Sequence, residues 1–200
     1  MIQNKTITIG ITGGSGCGKT TVCNILKNNG AYIIDADKIG HQIIQKGEKA
    51  YFDLIDAFGV EILDKDKQIN RKKLGEIVFN DKEKLKILNN ITHKHIIKTI
   101  KYNLNLLKQQ NVYKYIVVDA ALLIQTNLHK EVDTVWVIDS PLNLRIQRLK
   151  KRDNLSEDLI IKRIEKQMAF DDLKNYADFV LINDENINLE KVVTKQLKIM

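Results

Sequence analysis

Five short apolar runs rich in Ile and Val punctuate the chain: Thr6–Ile11, Ala31–Ile34, Tyr115–Val118, Thr134–Ile138 and Phe179–Ile182. Their brevity, β-branched content and separation by longer stretches of helical periodicity predict buried strands of a parallel sheet. The expected class is α/β, with five parallel strands between two layers of helices. Four of the runs lead into Asp35, Asp119, Asp139 and Asn183. Ligands of open parallel sheets bind at the carboxyl ends of the strands, so these four side chains are expected along one functional edge.

Roughly eighty residues separate the second run from the third, several times what a crossover helix needs. The spacing predicts a helical insertion over residues 38–110. Within it Ala50, Leu54, Ile55 and Phe58 keep helical spacing ahead of Gly59. Residues Lys82–Gln109 form one long periodic stretch, with Leu85, Leu88, Ile91, Ile96, Ile100, Leu104 and Leu107 as its apolar positions. No repeat, Ser-rich linker or Pro-rich stretch interrupts the chain, so a single domain carrying this insertion is expected.

Composition narrows the classes further. With 200 residues, 44% hydrophobic, ten Gly and one Pro, the chain has a globular make-up and excludes disordered or collagenous polymers. No apolar run approaches the roughly 18 residues of a bilayer span, and Met1–Thr8 lacks the core of a secretory signal. A cytoplasmic protein with no membrane partner is expected. Cys17 and Cys23 show neither zinc-site nor disulfide-framework spacing, which points to reduced thiols. The formal charge of +7 rests on 27 Lys spread over the whole chain. That scatter reads as a solvated surface, and with 6% aromatic residues no nucleic-acid partner is expected. The arginines behave differently: Arg145, Arg148, Arg152 and Arg163 fall within nineteen residues, and Arg71 is the fifth.

Gly13–Thr20 reads GGSGCGKT, which satisfies G-x-x-x-x-G-K-[ST] between a predicted strand and a predicted helix. In that context the backbone amides of Gly13, Gly14, Ser15, Gly16, Cys17, Gly18, Lys19, Thr20 and Thr21 are candidates to cradle phosphates at a helix N-terminus. Lys19 reaches the β and γ phosphates in such a cradle, and the Thr20 hydroxyl is a ligand for Mg²⁺. Cys17 reads as a small residue in a position where Ser would serve. The acceptor side is expected in YIIDADKIGH, Tyr32–His41. Alternation along an extended segment would point the Asp35 and Asp37 carboxylates the same way. A carboxylate there accepts the proton of an attacking hydroxyl. Asp35 can equally cap the helix that follows.

GITGGSGCGKTTV followed by DADKIGH resembles the dephospho-coenzyme A kinase family. The resemblance continues through FGVEIL, Arg71–Leu74, Val78-Phe79-Asn80, Leu88-Asn89 with Ile91 and His93, Leu122-Leu123, Arg148–Asp153, Gln167, and Ala177-Asp178 ending at Asn183. It implies a three-layer P-loop NTPase fold with a helical acceptor-binding insertion and an Arg-bearing lid, here residues 141–170. It also implies transfer of the ATP γ-phosphoryl group to the ribose 3′-hydroxyl of dephospho-CoA. Asp37 falls on the family's base. Lys19, Arg148 and Arg152 are the further catalytic candidates, the arginines because guanidinium forks neutralise phosphoryl oxygens. Asp35, Asp37, His41, Arg71 and His93 are the candidate acceptor-binding residues, and Thr20 with Asp119 the candidate Mg²⁺ side. A monomer or weak homo-oligomer is expected. A uridine-kinase-like enzyme is the rival reading, and a nucleotide-hydrolysing switch a more distant one. The chain departs from the family pattern at Ala121, Gln125 and Lys94, and Arg145 stands where the family usually has Gln.

Overall fold

The computed structural model describes residues 5–79 and 81–200, so Asn80 of the family pattern lies outside the described residues. In chain order the elements are β1 (Ile7–Thr12), α1 (Lys19–Asn28), β2 (Ala31–Asp35), α2 (Ala36–Gln42), α3 (Lys49–Phe58), α4 (Arg71–Phe79), α5 (Lys82–Gln110) and β3 (Tyr115–Asp119). They continue with β4 (Thr134–Asp139), α6 (Leu142–Asp153), α7 (Glu157–Glu165), α8 (Phe170–Leu173), β5 (Phe179–Ile182) and α9 (Leu189–Ile199). The chain divides into two compact units, Met1–Ile34 with Leu104–Met200, and Asp35–Asn103.

The first unit holds a five-stranded parallel sheet ordered β2-β3-β1-β4-β5. Its register sets Ile11 beside Asp119, Thr12 beside Val137, and Asp139 beside Ile182, so the strand ends that face the ligand edge are aligned. Alternate residues Ile9 and Ile11, Tyr115 and Val117, and Trp136 and Ile138 line one face. There they pack with Val22, Cys23 and Leu26 of α1 and Val193 and Leu197 of α9. The intervening Ile116, Val118, Val135 and Val137 are buried as well, as strands covered on both faces require. The Tyr115 hydroxyl donates to the Leu197 carbonyl at 2.8 Å and pins the end of α9.

A polar knot ties the opening of β1 to the segment before β4. The Asp133 carboxylate accepts from the Thr8 backbone N–H at 2.8 Å and from the Thr8 hydroxyl at 2.7 Å. Burial pushes this carboxyl up, but the Thr8 hydrogen bonds and the nearby Lys108 and Lys5 charges outweigh it, and its pKa lies below the ordinary 3.8. A carboxyl with a depressed folded-state pKa contributes stability that is complete above the unfolded pKa and is lost as pH falls through the folded one. Denaturant midpoints measured from about pH 5 to pH 2 are therefore expected to fall more for the unsubstituted protein than for Asp133→Asn, which lacks the titrating group. Parallel curves would show that the knot contributes no charge-dependent stability.

The second unit is helical. Tyr51, Leu54 and Phe58 of α3, Leu74 and Val78 of α4, and Ile62 and Ile69 of the intervening loop form its core. Gly59 ends α3 as the spacing predicts. The expected insertion, 38–110, runs to the end of α5, whereas this compact unit spans Asp35–Asn103, and Leu104 and Leu107 of α5 are buried in the first unit. Among the described residues no helix is long and apolar enough to cross a membrane, and Cys17 and Cys23 are both buried thiols.

Candidate active site

The loop between β1 and α1 has the geometry of an anion cradle. Gly18, at the N-cap of α1, has φ +97° and offers no side-chain cap, which leaves first-turn amides of a ten-residue helix to an anion. A Cβ at Gly18 would sit 2.1 Å from Asn183 Nδ2. That amide is 6% exposed and donates to the Cys17 carbonyl at 2.8 Å, so the loop is held from the end of β5. Lys19 Nζ donates to the Gly13 carbonyl at 2.7 Å and approaches the Gly14 carbonyl at 3.4 Å. Its ammonium thus spans the loop with a third proton left for a phosphate oxygen.

Cys17 is fully buried, and burial pushes its thiol up against the opposing effects of Lys19 and Arg145. A protonated, packed thiol agrees with the small-residue reading and not with a nucleophile. The Thr20 side is exposed, and Asp119 lies half-buried at the end of β3, in register with Ile11 just before the loop. A hydroxyl and a carboxylate are hard oxygen donors, the kind Mg²⁺ takes when water and phosphate oxygens complete its shell. No cluster of three or more His, Cys, Asp or Glu suited to a metal occurs among the described residues.

Helix α6 brings two arginines against the loop. Arg145 Nε donates to the Ser15 carbonyl at 2.9 Å, and its Nη1 lies 3.6 Å from Asp139 Oδ1. Burial pushes the Asp139 carboxyl up, while the Ser140 N–H and Arg145 pull the other way. Arg148 Nη1 donates to the Ser140 hydroxyl at 3.0 Å and reaches the Gly16 carbonyl at 3.3 Å. Arg152 does not join them. Its guanidinium grips Asp153 at 2.7 and 2.9 Å, and Asp153 also accepts from Arg163 at 2.8 Å. The hydrogen bond from Arg152, ahead of the two arginine charges, holds the Asp153 carboxyl below its ordinary range. Seven residues return to the same helical face but advance about 10.5 Å along the axis, enough to carry Arg152 past the loop. The three arginines share a helix face, as their i, i+3, i+7 spacing predicts, but only Arg145 and Arg148 reach the loop.

The Asp35–Asp37 expectation is corrected by the structure. β2 ends at Asp35 and α2 begins at Ala36, so no extended segment aligns the two carboxylates. Asp35 is the N-cap of α2, its Oδ1 accepting from the Lys38 N–H at 2.9 Å. Asp37 falls in the first helical turn. There it lines a cleft of about 530 Å³ inside the second unit, with Gly40, His41, Arg71, Leu88, Thr92 and Ile96 among its walls.

Arg71 Nη1 lies 3.3 Å from His41 Nδ1 and 3.2 Å from its Nε2. Both ring nitrogens are within hydrogen-bond reach of the guanidinium, and the tautomer of His41 decides which one accepts. The wall from α5 is the row Leu88, Thr92 and Ile96, spaced i, i+4, i+8. His93 is one residue off that row and is not among the lining residues, and burial alone lowers its imidazole pKa. His95 is occupied elsewhere, 2.7 Å from Asp53 of α3.

Sequence reasoning missed Ser140, which accepts from Arg148 and donates to the Asn183 carbonyl, and Thr92, which lines the cleft. It placed Gln167 and Asn183 in the family order, and Asn183 on the functional edge, but not in contact with Ser15 and Cys17. Thr92 could have been found by projecting α5 from Leu88 and Ile96, whereas those two contacts join the loop across more than a hundred residues.

Residues 7–188 match the family model described as dephospho-CoA kinase. A dephospho-CoA kinase of Carboxydothermus hydrogenoformans is 41% identical over 179 residues, covering 90% of this chain and 86% of its own. Among solved structures, dephospho-CoA kinase from Campylobacter jejuni is 30% identical with a TM-score of 0.70, covering 96% and 95% of the two chains. The Thermus thermophilus protein TT1252 is 26% identical with a TM-score of 0.79, covering 97% and 95%.

Proposed function

This chain belongs to the dephospho-CoA kinase family, and on that premise we propose how its own residues carry ATP-dependent phosphoryl transfer to the 3′-hydroxyl of dephospho-CoA. The observation that carries the donor half is the loop from Gly13 to Thr20, with Lys19 spanning it and the uncapped start of α1 behind it. Loop amides bind the β and γ phosphates, and Lys19 turns its remaining proton to them. Thr20 and Asp119 would hold Mg²⁺, which supplies charge neutralisation on the phosphate oxygens when bound.

The cleft of the second unit takes the acceptor. His41 and Arg71 form one positively disposed wall for a phosphate-bearing ligand, and Asp37 accepts the proton of the attacking hydroxyl. On the lid, Arg148 shores up the loop through Gly16 and Ser140. Arg152 exchanges Asp153 for a phosphoryl oxygen, a transfer its exposed position in the last turn of α6 permits. Phosphate oxygens are met by amides such as those of Lys19 and Thr20, since the Ser15, Cys17 and Thr21 N–H groups donate to Gln167 Oε1 and to the Gly14 and Gly18 carbonyls. A monomer or weak homo-oligomer with no nucleic-acid partner completes this reading, in the cytoplasm, a location that the metabolic role of the family supports.

The test is ADP release with ATP and a panel of acceptors. Dephospho-CoA is expected to stimulate release far above adenosine, AMP or uridine. Preference for uridine or AMP would overturn the acceptor assignment.

A further inference from the structure

Every polar group of Ser15 is held by the lid segment. Its backbone N–H donates to Gln167 Oε1 at 2.8 Å, its hydroxyl accepts from Gln167 Nε2 at 3.0 Å, and its carbonyl accepts from Arg145 Nε at 2.9 Å. Gln167 follows α7 and Arg145 belongs to α6, so two separate parts of the lid segment close on one loop residue. Gln167 is itself fixed, its N–H bonded to the Ile164 carbonyl at 3.0 Å. Arg145 is anchored on its far side by Asp139. Such an arrangement fixes both peptide planes flanking Ser15, because each plane has one of its polar groups tied down.

We infer that Gln167 is a positioning residue of the donor site, which with Arg145 clasps Ser15 and sets the phosphate loop in its binding conformation before the nucleotide arrives. The inference rests on the reading of Gly13–Thr20 as the ATP cradle and deepens it. A loop rich in glycine has much conformational freedom to lose on ordering, and a clasp made in advance removes part of that cost from the binding step. Gln167 touches neither reacting group, so its removal weakens ATP in ground state and transition state alike. The signature of such a loss is a raised KM with little change in kcat. Arg145 adds its charge to the same work, and this chain carries it where the family usually has Gln.

The experiment is steady-state kinetics and direct ATP binding with Gln167→Leu, Ser15→Ala and the double variant, each checked by thermal unfolding. Gln167→Leu is expected to raise the KM and Kd for ATP about tenfold, the scale of the one or two hydrogen bonds removed, with kcat lowered by less than about threefold. The KM for dephospho-CoA should stay within about twofold, which a general loss of fold would not allow. Ser15→Ala should give a smaller rise, and the double variant should be no worse than Gln167→Leu alone, because both substitutions break the same contact. Additive effects, or a fall in kcat at unchanged KM for ATP, would overturn the inference. If Gln167→Leu unfolds, Ser15→Ala with its KM ratio still decides: no rise in the KM for ATP counts against the clasp. Failure of the unsubstituted protein to bind ATP would instead overturn the cradle reading beneath it.

Discussion

Asp37→Asn is expected to lower kcat by about 10²–10⁴, with ATP affinity and the thermal midpoint close to those of the unsubstituted protein. The substitution keeps the shape of the side chain and removes its ability to take a proton. Two features of the structure isolate that chemical change. Helix α2 is capped by Asp35, whose carboxylate binds the Lys38 N–H, so altering Asp37 does not uncap the helix. Asp37 also lines the cleft without belonging to the apolar core built from α3 and α4, so no packing is lost. Single-turnover kinetics with saturating ATP and dephospho-CoA, set beside calorimetric ATP binding, separate the chemical step from binding. An unchanged kcat would remove Asp37 from the chemistry. Abolished ATP binding would make it a structural residue.

The sheet was legible because its three central strands are buried on both faces. Apolar β-branched runs of this kind carry their own boundaries, and each predicted strand agrees with the observed one to within a residue at either end. α5 was legible for a related reason, since a long helix with one apolar stripe repeats its signal over many turns. The phosphate loop was readable from local spacing because its chemistry is local: a strand, a turn of small residues and a helix.

What escaped depends on contacts between distant parts of the chain or on the residue at which one element gives way to the next. Asp35 and Asp37 would share a direction only if the strand ran two residues further, and the cap formed by Asp35 ends it. Arg152 keeps the angular position of Arg145 and Arg148, yet the rise of the helix gives it Asp153 as a partner in place of the loop. Ser15 and Gln167 lie 152 residues apart, and Asn183 meets Cys17 over 166. No periodicity spans such separations. The family resemblance supplied the order of Gln167 and Asn183 along the chain but no contact.

The second large effect is expected from Gly13→Ala, a change of one methyl group at the junction of β1 and the loop. Gly13 has φ +148°, in the region that favours glycine, and a Cβ built there would lie 2.0 Å from the backbone oxygen of Ile138 and 3.0 Å from Cys17 Sγ. Relief at the strand is blocked: Ile138 is 1% exposed within β4, paired in register with Leu181 of β5. Relief at Cys17 is blocked as well, since that residue is fully buried and its carbonyl is held by Asn183. The loop must therefore move, and with it the Gly13 carbonyl that receives Lys19. Backbone strain and overpacking each cost about 1–3 kcal/mol, so a loss of about 2–4 kcal/mol in unfolding free energy is expected. A comparable penalty falls on ATP binding, because the amides no longer converge, and affinity should drop by a hundredfold or more on the scale of about 1.4 kcal/mol per decade. Far-UV circular dichroism should still report the α/β fold, since the change is one methyl group just beyond the end of β1. Calorimetry with ATP and a thermal melt on the same preparation check both parts, and retention of ATP affinity with an unchanged midpoint would show that the loop accommodates a side chain there.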